Sequence, residues 1–256
     1  MPLELTPHVV NTAFIGHKAA IIDEDKLVQW VAYTLIAKHN HILKIISSTM
    51  PGSNITAKDS VIKSIIKNIL HAKQNDHRDG LLFQHISWIL SVLKKGDKDI
   101  FSAPHCRVAD KGQDSIAIHF DKNNTVVAVS ICEDKATINV RKTIRDKVYP
   151  EFLDYELGNR DSELESEVLA LLEKQFNTDQ ANSIIKTIFW ENIKRYKINV
   201  TVNEENPVKI FKGYDDCIPG KRERRTANTV HIAELRSWFS QFSQKLEVYL
   251  NSLIEA

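Results

Sequence analysis

The sequence predicts a mixed α/β fold in which a small mixed sheet, built on one β-hairpin, is flanked by helices. Two patterns carry that prediction. Apolar residues recur at helical spacing through the first third of the chain and again beyond Arg141, whereas between Ser115 and Ile131 the period falls to two. Composition agrees: 256 residues, 43% apolar and 26% charged, are ordinary for a globular chain able to bury a large core.

Asp23-Glu24-Asp25 supplies an acidic first turn, and Leu27, Val28, Val31, Leu35 and Ile42 then mark one buried helical stripe to about Ile46. Pro51-Gly52-Ser53-Asn54 breaks it. A second helix follows Thr56 on Val61, Ile62, Ile65, Ile66 and Ile69, and Lys73-Gln74-Asn75-Asp76 reads as a connector. These segments define an N-terminal helical region, 1–75, ahead of a second region, 76–256. Its broad apolar faces either pack onto the rest of the chain or form a docking surface for a partner.

Leu81, Leu82, His85, Ile86, Ile89, Leu90 and Leu93 mark another helix, ended by Lys94-Lys95-Gly96. After Pro104, Ile116, Ile118 and Phe120 alternate with Ser115, Ala117 and His119, and Asp121-Lys122-Asn123-Asn124 supplies a turn. Val127, Val129 and Ile131 then share one face of a returning strand whose other face is small or apolar, so this strand is central. Helix resumes at Arg141 with Ile144, Val148 and Phe152 spaced by four, and Pro150 is expected to kink or end it. Ser162 to Phe176 and Ala181 to Ile193 read as helices, Ile198 to Val202 and Lys209-Ile210-Phe211 as strands. Ile232 to Leu253 reads as a long amphipathic helix whose Trp238, Phe239, Phe242 and Tyr249 are core.

Several classes are disfavoured. No apolar run approaches the eighteen or so residues of a membrane span. Met1-Pro2-Leu3-Glu4-Leu5 lacks the basic and apolar parts of a secretory signal. Cys106, Cys132 and Cys217 are scattered without a CxxC pair, which argues against a disulfide framework or a zinc cage and predicts a cytoplasmic protein. A formal charge of +1 leaves nucleic-acid contact to local basic surface or to a partner.

The chemistry concentrates on the hairpin. Strand parity puts Glu133 and Lys135 on the face of Val127, Val129 and Ile131 and turns Asp134 away. Counted outward from the Asn123-Asn124 turn, Asp114 and Glu133 lie about equally far along the two strands, which makes them neighbours at one end of the hairpin. Two convergent carboxylates repel unless a proton or cation joins them. Mg²⁺ suits such a pair, since it takes one or two protein carboxylates and keeps the rest of its shell for water and phosphate. A backbone carbonyl at Ile131 or Cys132 could add a ligand, and Lys135 could orient the attacking water or balance charge on phosphate.

These residues resemble the PD-(D/E)XK nuclease superfamily, with the likeness running from about Gly80 to Val148. The resemblance implies a restriction-endonuclease-like core and a Mg²⁺-dependent endodeoxyribonuclease activity, with Mn²⁺ able to substitute. Asp114, Glu133 and Lys135 would be catalytic, with Asp114, Glu133 and the Cys132 carbonyl toward the metal. Where many members carry an acid on the leading helix, this chain has Gln84, which bears on a second metal more than on the first. The segment Ala109 to Asp114 and the helical flanks resemble the nuclease subunits of Hachiman-type phage-defence systems, which implies a helicase or ATPase partner. The competing reading is a non-catalytic subunit that binds DNA or a partner on the same fold.

Each feature has a plainer reading beside it. Glu133 and Lys135 could form a surface salt bridge of little weight. His105 is a candidate base or phosphate contact but as easily a solvated loop histidine, and Asp110 could replace or assist Asp114 or else shape a turn before Gly112. Arg141, Lys142 and Arg145 would project from neighbouring helical turns toward a DNA backbone, or form a solvated helix face. Lys221, Arg222, Arg224 and Arg225 form a second basic cluster, open to nucleic acid or to an acidic partner.

Overall fold

The computed structural model describes residues 1–8, 12–46, 55–94, 96, 98–105, 113–186, 188, 193–203 and 207–254. A seven-stranded mixed sheet forms its centre. In chain order the strands are β1 (Leu3–Pro7), β2 (His17–Ile21), β3 (Ile100–Phe101), β4 (Ser115–Phe120), β5 (Val126–Lys135), β6 (Lys194–Val202) and β7 (Arg225–His231). Their spatial order is β1-β2-β7-β6-β5-β4-β3. β5, β6 and β7 run parallel, as do β2 and β7, while β4 and β3 return antiparallel at one edge and β1 at the other. The sheet is therefore larger than the small one expected, because both ends of the chain feed it.

Alternation along the strands builds two cores. Ile116, Ile118, Val129, Ile131, Tyr196, Ile198 and Val200 point to one face. They pack there under the helices Val140–Thr143 (α5), Tyr149–Glu156 (α6), Asp161–Leu172 (α7) and Thr178–Lys186 (α8). The opposite face carries Ala19 and Val230 with the helices Glu24–Leu35, Asn75–Val92 and Leu235–Ser252, called α1, α4 and α11 here. Between α1 and α4 lie α2 (His39–Ile46) and α3 (Asp59–Ile65); the short helices Pro207–Ile210 (α9) and Tyr214–Cys217 (α10) lie between β6 and β7. α4 is buried on nearly every side, as its apolar residues on all faces require. In α11, Phe239 and Phe242 are fully buried and Trp238 stacks on Phe242 at 4.7 Å.

Several expectations change. The first third is not wholly helical: Leu3-Glu4-Leu5 and Lys18 to Ile21 alternate with period two and become β1 and β2. The stripe expected from Leu27 to Ile46 breaks at Ala37, which sits at φ 59° between α1 and α2. The apolar faces of the N-terminal helices, Leu27, Trp30, Val31, Ile42 and Ile62 among them, are buried in the core shared with α4 and α11. Lys209-Ile210-Phe211 is not a strand, since Pro207 to Ile210 opens a helical turn with proline at its first position. Pro150 does not end its helix. A π turn over Ile144–Val148 joins α5 to α6, and its wider ring absorbs the missing proline N–H. Ala109 to Gly112, Cys106, and the breaker at Pro51 to Asn54 lie outside the described residues.

Gly16 carries the β2 end of the sheet. Its φ is +155°, and a Cβ there would sit 1.7 Å from the Ala227 carbonyl oxygen of β7. Gly16→Ala is expected to cost about 3 kcal/mol or more, read as a lowered denaturation midpoint at unchanged slope. An unchanged midpoint would contradict this close approach.

Candidate active site

The site forms at the C-terminal end of β5, where the parallel strands β5 and β6 end together and β4 begins. Ser115 pairs with Cys132, so the next residue out on each strand, Asp114 and Glu133, fall opposite one another. Val127 is the exception to the parity count. The register shifts between His119 and Phe120, which bulges Val127 out of its face and leaves it 43% exposed. From Val129 to Lys135 the alternation is unbroken, so Glu133 and Lys135 share a face and Asp134 takes the other.

Lys135 joins the two carboxylates. Its Nζ donates to Asp114 Oδ2 at 3.0 Å and also to Glu133 Oε2. Asp114 Oδ2 further accepts the Asp134 backbone N–H at 2.6 Å, and Gln84 Nε2 of α4 donates to Asp114 Oδ1. The residue before it is pinned as well: Gln113 accepts from the Tyr155 hydroxyl and donates to Glu167. Asp114 is thus held from α4, β5, α6 and α7 before any ligand is considered. This pair is no surface salt bridge, for Glu133 is 1% and Asp114 9% exposed.

Charge is unbalanced here. Asp114 and Glu133 bring two carboxylates to one lysine, and Asp134 adds a third buried carboxyl on the other face of β5. Burial pushes the Glu133 carboxyl well above its usual range, and the Asp114 charge adds to this. Burial and Asp114 likewise lift Asp134 to about 7, against the hydrogen bond from Asn199 Nδ2 at 2.6 Å. Burial alone would lower the Lys135 ammonium, but Glu133 and Asp114 outweigh it and hold the lysine protonated. Two oxygens remain without hydrogen-bond partners, Glu133 Oε1 and Gln84 Oε1. Both belong to residues in direct line with this cluster, and an orphaned buried acceptor is costly unless something fills its place.

A cleft of about 380 Å³ opens onto the cluster, lined among others by Gln84, Asp114, Asp134, Lys135, His105 and, on its rim, Lys147 and Arg236. Arg236 is positioned by Asp79, whose buried carboxylate accepts from it at 2.6 Å and from Arg78 at 2.8 Å. Arg236 escaped the sequence reading because it comes from a distant helix, α11, with no local motif. Lys147 is the last of the basic residues Arg141, Lys142, Arg145 and Lys147 that follow the site in sequence. The π turn changes the helical phase, so Lys147 reaches the cleft while the expected trio does not. Arg141 instead lies 5.8 Å from the Tyr149 ring and donates to the Ile210 carbonyl at 3.4 Å. Arg145 pairs with Asp146 at 2.5 Å, and Lys142 is exposed outside the cleft lining.

Cys132 is not brought to the site. Its thiol lies on the other face of β5, 3.9 Å from the Ser130 carbonyl, and its backbone lies opposite Ser115 of β4. Because the Asp134 N–H reaches Asp114, strand geometry turns the Asp134 carbonyl to that same side, beyond the first residue of β4. That oxygen is the better-placed backbone donor. His105 lines the cleft with Nε2 3.1 Å from the Gln113 carbonyl. Of the second basic cluster, Arg225 is buried and bonds the Ile218 carbonyl at 2.6 Å, while Arg224 clamps Glu156 at 2.7 Å. Both are structural.

No family model matches the chain, and no curated protein matches it either. Among the described residues no helix is long and apolar enough to cross a membrane.

Proposed function

We propose that this chain is a metal-dependent nuclease with a restriction-endonuclease-like core, hydrolysing phosphodiester bonds of DNA. The observation that carries this reading is the Asp114–Lys135–Glu133 cluster, whose Asp114 and Lys135 line a cleft and whose Glu133 Oε1 is buried beside them without a partner. The donor set fits a hard divalent cation: two carboxylates, the Asp134 carbonyl and an adjacent amide oxygen on Gln84 are all oxygen ligands. When bound, Mg²⁺ or Mn²⁺ would supply positive charge to polarise the phosphate and favour ionisation of the attacking water.

The chain's own residues then have separable tasks. Asp114 and Glu133 hold the cation, and Gln113, Tyr155 and Glu167 hold Asp114. Lys135 stays protonated between the carboxylates, so it acts as a hydrogen-bond donor to charge developing on the phosphate and not as a general base. Lys147 and Arg236 on the rim face flanking phosphates. A net charge of +1 gives little bulk attraction for DNA, which supports substrate delivery by a helicase or ATPase partner, as in Hachiman-type phage defence.

The test is cleavage of labelled DNA by the purified chain, alone and with the helicase partner, in Mg²⁺ or Mn²⁺ and in chelator. Metal-dependent nicking or cutting is expected. A second reading is favoured by a specific observation: among the described residues no group of three or more His, Cys, Asp or Glu side chains could hold a metal, and Lys135 already spans the carboxylates. On that reading the chain is a non-catalytic subunit, and DNA binding without cleavage in any metal would support it.

Gln84 offers a finer probe. Gln84→Glu is expected to tighten Mn²⁺ binding on the order of tenfold by adding a carboxylate opposite Asp114, and to destabilise the metal-free protein. Calorimetric titration reads the first effect and thermal denaturation the second. Unchanged Mn²⁺ affinity would place Gln84 outside the cation's reach.

A further inference from the structure

A second cleft, about 290 Å³, opens on the α4 face of the sheet near the far end of α4, lined by residues of all seven strands. Lys94, Arg195 and Lys197 line it together with His17 and His119. It is separate from the candidate active site: Ser130, on its wall, and Asp134 share the α4 face of β5 about 13 Å apart, at four residues' rise.

The three cations line one cleft, and the field of Lys197 also reaches the Asp134 carboxyl. Lys197 Nζ is half-buried and donates to Ser91 Oγ at 2.7 Å, and among the described residues no carboxylate forms an ion pair with Lys94, Arg195 or Lys197. Two acids reach the cleft, and both are engaged: Asp99 with His119 at 3.0 Å, Glu223 with Arg222 at 3.2 Å. A half-buried ammonium answered by a single hydroxyl is unfavourable unless an anion completes it. Burial is the chief cause that lowers both His17 and His119; Lys94 and Lys197 add to it at His17, and Arg195 and Lys197 add to it at His119 against Asp99, so the same positive field reaches both sides of the cleft.

We propose that this cleft binds a phosphate group, carried either by a nucleic-acid backbone or by a nucleotide. One arginine and two lysines lining one cleft match a multivalent oxyanion, with the guanidinium supplying paired donors and the ammoniums point charge. The volume lies at the small end of ligand sites, which suits one nucleotide-sized group and not a duplex.

The test measures binding of a labelled single-stranded DNA and of a labelled nucleoside triphosphate by fluorescence anisotropy across a salt series. A Glu133→Gln background keeps the other cleft from consuming the strand. Lys94→Glu/Arg195→Glu is compared with the milder Lys94→Gln/Arg195→Gln, each checked for native circular dichroism. Affinity is expected to fall at least about tenfold, and the salt slope for the strand to shrink by about one to two counterions. Loss for the strand assigns a backbone phosphate, and loss for the triphosphate alone assigns a nucleotide. Unchanged binding of both probes, or no binding of either by the unsubstituted cleft, would overturn the proposal whatever cleavage shows.

Discussion

Glu133→Gln and Lys135→Ala are each expected to reduce metal-dependent cleavage on the order of a thousandfold or more while leaving the protein folded. The two should fail differently. Glu133→Gln removes one of two carboxylates from the cation's donor set, so its loss should be accompanied by weaker Mn²⁺ binding. Lys135→Ala frees both carboxylates from their ion pair, at 3.0 Å on the Asp114 side, so Mn²⁺ should bind as tightly or more tightly while turnover collapses. A cation site that gains affinity and loses rate marks Lys135 as acting on the phosphate. If Lys135→Ala cleaves like the unsubstituted protein after rigorous purification, its assigned role is wrong. Removing one partner of a buried pair also costs stability, about 3 kcal/mol, and this should be partly restored by Mg²⁺.

The second large effect is a pH dependence of stability centred on Asp134. Its folded carboxyl is lifted from an ordinary 3.8 to about 7, so between those values the folded protein keeps a proton that the unfolded chain has released. The stabilising contribution is complete below about pH 4 and is lost as pH rises through about 7. Glu133, also raised, adds in the same direction. Without metal, the unsubstituted protein should lose about 2 kcal/mol relative to Asp134→Asn between about pH 5 and pH 8, several degrees in melting temperature. The comparison with Asp134→Asn removes the opposite trend of surface carboxylates such as Glu156, which Arg224 and Tyr196 hold below the usual range despite its burial. Divalent cation should flatten the curve at high pH by neutralising the cluster. Parallel pH curves for the two proteins would mean that Asp134 is ionised in the fold.

What was legible in the sequence was local. The hairpin, its turn and the pairing of Asp114 with Glu133 follow from strand parity and from counting outward from Asn123-Asn124, and the register places those two residues opposite one another. The bulge at Val127 broke the count on the turn side only, where no site residue lies. Gln84 was marked on the leading helix, and it is the α4 residue that donates to Asp114. The long-range parts were not legible. β2 joins β7 across most of the chain and brings β1 with it, and a period-two run as short as Leu3-Glu4-Leu5 cannot announce its partner.

The basic residues teach a related lesson. Arg141, Lys142 and Arg145 were assigned to DNA from a regular helical spacing, but the π turn over Ile144–Val148 carries Lys147 to the cleft instead. Arg224 and Arg225, alike in sequence to any exposed basic run, are drawn inward by Glu156 and by carbonyls of the Ile218 to Gly220 turn. Charge in a sequence marks capacity for an ion pair, and only the fold says with what.

The most direct measurement is anomalous diffraction from crystals grown with Mn²⁺. The site described here predicts one strong peak within about 2.5 Å of carboxylate oxygens from both Asp114 and Glu133, absent in Glu133→Gln crystals. No peak at saturating Mn²⁺, with Lys135 still bridging the two carboxylates, would contradict the metal site and with it the nuclease mechanism.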